Sequence, residues 1–421
     1  MSPHALLDTA ADLLRIVLRF DHPTDAVVSR YFRENHRLGP RERATLTETV
    51  YAVLRKKPLL DHFAISGAGS RERRLAILGL SVPRDFLISA LNPVERDWLA
   101  VCDAVDVALL PPACRHNLPG WLAERLTLQL GQAQFDALAS SLLEQAPLDL
   151  RVNALQDKRD AVRARLREAG IAAEPTPYSP WGLRVAGKPA INRLEVFRRG
   201  AVEVQDEGSQ LLALLTDARR GQMVADFCAG AGGKTLALGA AMRSTGRLYA
   251  FDVSPHRLAA LKPRLARSGL SNVYPVAIAH ERDERIKRLA GKMDRVLVDA
   301  PCSGLGTLRR NPDLKWRQPE SAIAERNADQ SAILAGAARL VKPGGRLVYA
   351  TCSLLVDENE SIATAFGAAH PDFAPAPVAE ILQSLKVPGA TALCDENGLY
   401  LRLWPHRHAT DGFFAAAWTR N

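Results

Sequence analysis

From about Gly208 onward, strand-like and helix-like segments alternate, and this alternation limits the possible folds more than any other feature of the chain. MVADFC (223–228), RLYAFD (247–252), NVYPVAI (272–278), DRVLVDA (294–300) and GRLVYAT (345–351) read as short apolar strands. Between them, KTLALGAAM (234–242), PHRLAALKPRLARSG (255–269) and a long stretch from about Glu320 to Val341 read as helices, the second closed by Gly269. Repeated strand–helix units predict an α/β fold with a parallel, doubly wound sheet. Ligands of such sheets sit beyond the carboxyl ends of the strands, so the loops that follow the strands are where chemistry is sought.

Upstream the texture differs. Residues 1–145 read as helical: Leu6, Leu7, Ala10, Leu13, Leu14, Val17 and Leu18 recur at helical spacing, as do Leu46, Val50, Val53 and Leu54 between Pro40 and Pro58. PPACRHNLPGW (111–121) interrupts that pattern and is expected to be a loop, and no catalytic constellation stands out in the region. LDLRVNAL (148–155) then reads as a strand, KRDAVRARLREAG (158–170) as a helix ending at Gly170, and short strand-like pieces lie near 183–185 and 201–204. The predicted organisation is an all-α segment over 1–145, a small α+β segment over 146–205 and the α/β domain over 206–421.

Charge adds a hint about partners. The chain has 55 basic and 46 acidic residues, a net +9. Residues 1–150 hold 17 of the basic and 18 of the acidic residues, so the surplus lies downstream. A basic balance is compatible with a phosphate-rich partner but does not establish one. Six cysteines occur without a CxxC pair, which argues against zinc ribbons and disulfide scaffolds and fits a reducing cytoplasm; no metal site is expected. No run of 18 uncharged apolar residues suggests a membrane span, and Asp8 and Asp12 interrupt the N-terminus where a signal peptide would be apolar.

Four loops carry candidate chemistry. Cys228, Ala229, Gly230, Ala231, Gly232, Gly233, Lys234 and Thr235 join a strand to a helix, where glycines let a ligand approach the backbone. Cysteine at 228 excludes a Walker A loop, and Thr235 departs from the dinucleotide fingerprint. The loop is either a nucleotide-like ligand site or a plain tight turn. Asp252 ends the next strand, where it can accept from ribose hydroxyls or simply cap the following helix. Asp299 ends another strand before Pro301, Cys302 and a glycine-bearing loop, which continues into Arg309, Arg310, Lys315, Trp316 and Arg317. Basic residues with an interleaved aromatic can bind phosphates and stack a base, or form a solvated charge run. Cys352 follows the strand at 345–351, and Asp357, Glu358 and Glu360 are expected to open the next helix, where acids suit its dipole.

Together these segments resemble the RNA cytosine-5 methyltransferases of the Sun (RsmB) type. The resemblance rests on LRVN (150–153), VQDEGSQL (204–211), DFCAGAGGKT (226–235), FD (251–252), DAPCSGLGTLRRNPDLKW (299–316), KPGG (342–345), YATCS (349–353) and WPHRHATDGFF (404–414). RLGPRERATLTETVYAVLR (37–55) is similar to a NusB-like helical RNA-binding domain, through a shorter match. The resemblance implies a Rossmann-like class I methyltransferase domain, S-adenosyl-L-methionine as donor and a cytosine of RNA as acceptor. It places the donor against loop 228–234 and, through its ribose, Asp252. It sets Asp299 near both donor and target base, makes Cys352 the nucleophile and gives Cys302 the role of aiding product release. Lys234 and the arginines at 309–310 are candidates for lowering a thiol pKa. Spacing alone does not choose between the cysteines, and DNA cytosine-5 methyltransferases use the one in their Pro-Cys motif.

Two departures stand out. Gly230 and Ala231 replace the Ala-Pro common in the family's loop, and His280 stands where members usually place an aspartate facing the adenosine. His280 either donates a hydrogen bond there or is a surface histidine, with Asp283 near enough to substitute. The helical N-terminal segment favours 16S rRNA as substrate, and the enzyme is expected to be cytoplasmic and monomeric. The competing readings are a tRNA-directed member of the same family and a non-catalytic ribosome-assembly factor.

Overall fold

A computed structural model describes residues 1–421, which divide into two compact units. One comprises Met1–Gln145 with Thr307–Glu320, and the other Ala146–Gly306 with Ser321–Asn421. No helix is long and apolar enough to cross a membrane.

The first unit is helical. Its principal helices are Pro3–Val17, Pro40–Arg55, Arg71–Gly79 and Pro93–Asp103. Their apolar stripes, including Leu7, Leu14, Leu46, Val50, Leu54 and Leu75, are fully buried together. The sequence marks the helix starts. Ser2 accepts from Ala5 N at 3.3 Å, and Asn92 and Glu95 form a reciprocal capping box. Pro58 closes one helix by sitting in the first turn of the next, Lys57–Phe63, where its missing N–H costs nothing. The loop expected over 111–121 instead contains a short helix, Pro112–His116, ended by Asn117 in the left-handed region at φ 54°. The prolines that suggested a loop occupy helix starts.

The second unit holds two sheets. The smaller consists of β1 (Leu148–Val152), β2 (Ala173–Pro175), β3 (Gly182–Val185) and β4 (Val202–Val204), antiparallel in the order β2-β3-β1-β4. Helix Arg159–Glu168 buries Val162 and Leu166 with it. The larger consists of β5 (Met223–Asp226), β6 (Arg247–Asp252), β7 (Val273–Ala277), β8 (Met293–Asp299), β9 (Val341–Thr351), β10 (Phe373–Pro375), β11 (Leu401–Leu403) and β12 (Phe413–Arg420). Its order is β10-β12-β9-β8-β5-β6-β7, with β11 beside β12. β5 to β9 are parallel, and β12 returns antiparallel against β9. KPGG is absorbed as a bulge within β9: Met293 faces Val341, but Arg295 faces Arg346.

Alternation along the strands builds two cores. Val224, Leu297, Val348 and Ala350 point to one face, where helices Gly233–Ala241 and Pro255–Ser268 cover them. Ala225, Val296, Val298, Leu347 and Tyr349 point to the other, under helices Ala322–Ala338 and Glu360–Ala369. Burial on both faces explains why these strands read as continuous apolar runs. The chain runs from β5 outward to β7, then crosses back to β8 on the other side of β5. This reversal opens a crevice at the carboxyl ends of β5 and β8.

Candidate active site

The loop after β5 is tied to both neighbouring strands: Phe227 N donates to Leu297 O and Ala229 N to Phe251 O, each at 2.8 Å. Gly230 and Gly232 then adopt φ of +55° and +83°, the left-handed region that glycine tolerates. A Cβ at Gly232 would lie 2.1 Å from Leu261 Cδ1, so both backbone and packing demand glycine there. Buried Asp252, at the end of β6, accepts from Gly230 N at 2.7 Å through Oδ2 and from Ser254 N at 2.8 Å through Oδ1. The cap of the following helix is Ser254 rather than Asp252. The small sheet braces the loop from behind. Arg151, from LRVN, donates to Gly233 O at 2.5 Å, and Arg264, paired with Glu203 of β4, donates to Ala231 O at 2.7 Å.

Beneath the loop, fully buried Asp226 accepts from Thr235 Oγ1 at 2.7 Å. Burial first, and the charges of Asp299 and Asp252 besides, push its carboxyl up to about 7. Lys234 Nζ sits 2.7 Å from Asp299 Oδ2. Burial opposes its charge, but Asp299 and then Cys352 outweigh that, leaving the ammonium favoured. Cys228 is half-buried on the cavity wall, and desolvation pushes its thiol well up, as do the carboxylates of Asp226, Asp299 and Asp252.

The two strand-end cysteines meet. Cys302, after β8, and Cys352, after β9, bring their Sγ atoms to 3.4 Å. The hydrogen bond with Cys352, burial, and the charges of Cys352 and Glu358 hold the Cys302 thiol well above its ordinary range. The ladder between the strands continues as Ala300 N to Ala350 O at 2.9 Å, and Gly306 N reaches Cys352 O at 2.8 Å. WPHRHATDGFF supports this corner, since Gly412 N donates to Gly306 O at 2.8 Å. A Cβ at Gly306 would come within 2.1 Å of Gly412 O.

A cavity of about 640 Å³ opens at the crevice, within the range of small-molecule sites. Cys228, Asp252, His280, Asp299, Cys302 and Cys352 all line it, so the chain brings together residues more than a hundred positions apart. His280 Nδ1 accepts from Arg282 N at 3.1 Å, which leaves Nε2 to carry the proton of the neutral ring. Asp283 is not among the residues that line the cavity. Its carboxylate accepts from Ala279 N and Arg285 N, both at 2.9 Å, and capping holds it there. Arg257, Glu281 and Asp329 also line the cavity and were not anticipated. They lie in helices or turns where a single charged residue reads as surface.

The expected RNA-facing set behaves differently. Residues 307–320 belong to the helical unit. Lys315 Nζ donates to Arg55 O at 3.0 Å and Asn117 O at 2.7 Å, and Trp316 Nε1 donates to Leu54 O at 2.8 Å. Arg309 and Lys315 are buried, and Arg310, Trp316 and Arg317 are half-buried. The indole packs against the helical core and the lysine satisfies helix-end carbonyls, so these two residues serve the packing of the helical unit itself.

Fold and cavity together define a Rossmann-like class I methyltransferase that uses S-adenosyl-L-methionine. The lining suits that cation: Asp252, Glu281, Asp299 and Asp329 face a single guanidinium, Arg257. The crystal structure of PH0851 is similar over 100% of this chain and 99% of its own, with 27% identity and a TM-score of 0.81. A methyltransferase homologue from Pyrococcus horikoshii, 27% identical, superposes over 74% of this chain and 100% of its own with a TM-score of 0.62. The family model for 16S rRNA methyltransferase RsmB/F matches residues 213–419, and one for the RsmF/B-like ferredoxin-like domain matches residues 118–192. A probable ribosomal RNA small subunit methyltransferase B from Synechocystis is 32% identical across 96% of this chain and 97% of its own. The chain belongs to the 16S rRNA methyltransferase RsmB/F family.

Proposed function

We propose that this protein methylates C5 of a cytosine in small-subunit ribosomal RNA through a covalent bond between Cys352 and C6 of the base. The observation that carries this reading is the pair of thiols 3.4 Å apart on the wall of the donor cavity. S-adenosyl-L-methionine supplies an electrophilic methyl group. The chain must make C5, a poor nucleophile, able to attack it.

Addition of the Cys352 thiolate to C6 converts the ring to an enamine whose C5 takes the methyl group. Loss of the C5 proton to a base then re-forms the double bond and expels the thiolate. Lys234 keeps its ammonium, which Asp299 first and then Cys352 favour, and so supplies a cation to this wall of the site. Cys302, kept protonated beside it, is placed to take part in release. Asp299 faces the cavity, held by Lys234, in a position to hydrogen-bond the base. Asp252 and loop 228–234 hold the donor, the former through its ribose, and His280 Nε2–H is turned to serve its adenosine. In structured RNA the cytosine has to leave its stack to reach this pocket.

The test is methyl transfer from labelled donor to unmodified 16S rRNA, with the modified base mapped. Incorporation at C5 of one cytosine is expected. Cys352→Ala should abolish turnover, and Cys302→Ala should accumulate a protein–RNA adduct. An adduct with Cys352→Ala and none with Cys302→Ala would reverse the two roles. Incorporation into tRNA alone would redirect the substrate.

A further inference from the structure

The acids after Cys352 were expected to open a helix, but that helix begins at Glu360, and Glu358 is fully buried. Its carboxylate faces the cysteine loops. Oε1 accepts from Ser303 N at 2.8 Å and from Gln330 Nε2 at 3.1 Å. Oε2 accepts from Ser303 Oγ at 2.5 Å and also from Ser353 Oγ. Ser303 directly follows Cys302 and Ser353 directly follows Cys352, so one oxygen gathers the serine after each cysteine. The residue itself is fixed in turn: Tyr349 donates to Glu358 O at 2.7 Å, and Gln330 also donates to Pro301 O at 3.0 Å.

We propose that Glu358 is a positioning residue for the thiol pair, clamping the two loops through their serines and so setting the distance between Cys302 and Cys352. Past Ala300 and Ala350 the strands no longer zip the loops together, and Gly306 N to Cys352 O is the backbone bond that remains between them. The two serine hydroxyls also meet directly at 3.3 Å, and the carboxylate holds both of them and Ser303 N at once. The clamp acts by accepting hydrogen bonds from neutral groups. A glutamine can replace it, because both serine hydroxyls are able to turn and accept from its amide. An alanine cannot.

The catalytic importance of the distance rests on the cysteine roles proposed above, but the distance can be read without methyl transfer. Diamide takes two protons and two electrons from a thiol pair and leaves a disulfide. Its rate of forming the Cys302–Cys352 bond, followed by peptide mass spectrometry on the whole protein, reports the separation. Glu358→Ala should slow this bond by about tenfold or more, in line with the sensitivity of such reactions to displacements of an ångström. Glu358→Gln, which loses the charge that raises the Cys302 thiol but keeps the clamp, should cross-link at least as fast as the unaltered protein, and kcat of the alanine variant should fall below that of the glutamine variant while donor binding is kept. Should the alanine variant fail to fold, the double variant Ser303→Ala/Ser353→Ala, which removes both hydroxyl donors, takes its place with the same expected slowing. Cross-linking at the unaltered rate in a folded clamp-less variant would overturn the proposal, as would a glutamine variant as slow as alanine. Normal cross-linking behaviour with no methylation of any RNA would instead sink the functional reading and leave the clamp standing.

Discussion

Asp252 commits both carboxylate oxygens to backbone amides, one on the glycine loop and one at the head of the next helix. Asp252→Ala therefore removes a candidate ribose acceptor and at once leaves Gly230 N without its partner. A hydrogen bond to a charged group contributes about 1.5–3 kcal/mol, so donor affinity measured by calorimetry should fall roughly 10- to 100-fold. His280→Ala should weaken donor binding less, since one neutral hydrogen bond is at stake, about 0.5–1.5 kcal/mol. Affinity unchanged in both variants would remove the donor from this end of the cavity. Single residues were unevenly legible. Cysteines and aspartates at strand ends announced themselves by position. Glu358 did not, because an acid shortly before a helix looks the same whether it faces solvent or two buried serines.

The glycine loop and the strand that follows Lys342–Gly345 decide how the elements hold the site. Gly232→Ala places a methyl group against Leu261 at a left-handed position, a backbone cost of about 1–2 kcal/mol before any steric term. Denaturant melts should show that loss, and donor titration should show a weakened site. Tyr349→Phe, on β9, deprives the buried Glu358 carbonyl of its hydroxyl donor and should cost about 1–3 kcal/mol in the same melts. Strands β5 to β9 and the helices between them could be read from the sequence to within a few residues, because burial on both faces writes an unbroken apolar run, whereas β10 to β12 were not read. Their order in the sheet could not. Periodicity records what each strand buries and not which strand it lies beside. The segment after Gly306 shows what composition does not record: a lysine and a tryptophan among arginines have the composition of an RNA-binding face, yet here the indole packs against a core and the lysine caps carbonyls.

Each unit of the molecule carries a buried ionisable group of opposite sign. In the catalytic unit, Asp226 is raised to about 7 from an ordinary 3.8. Its contribution is fully present below about pH 4 and is lost as pH rises toward 7, because the folded state there holds a proton that the unfolded chain has released. In the helical unit, Lys315 is lowered to about 7 from 10.5, by burial and then by Arg55. Above 10.5 its burial carries no charge penalty, and the penalty grows as pH falls toward 7. We expect unfolding of the catalytic unit to become easier from pH 4 to 7 and unfolding of the helical unit to become harder from pH 7 to 10.5. Thermal melts followed by peptide-resolved hydrogen exchange separate the two, and Lys315→Met should flatten the second slope. A helical-unit stability independent of pH over that range would refute the assignment.

The polypeptide passes between the units three times: at Gln145, again at Gly306 just after the cysteine loop, and once more at Glu320. The helical unit is thus not a bead strung in front of an enzyme. A gene fragment beginning at codon 146 would encode Trp316 and Lys315 without the carbonyls of Leu54, Arg55 and Asn117 that receive them. Recombination that exchanged the leading 145 residues with a distant relative would face the same mismatch unless residues 307–320 travelled too. In lineages of this protein, the two stretches are expected to change in step, as a single inheritable part written in two places.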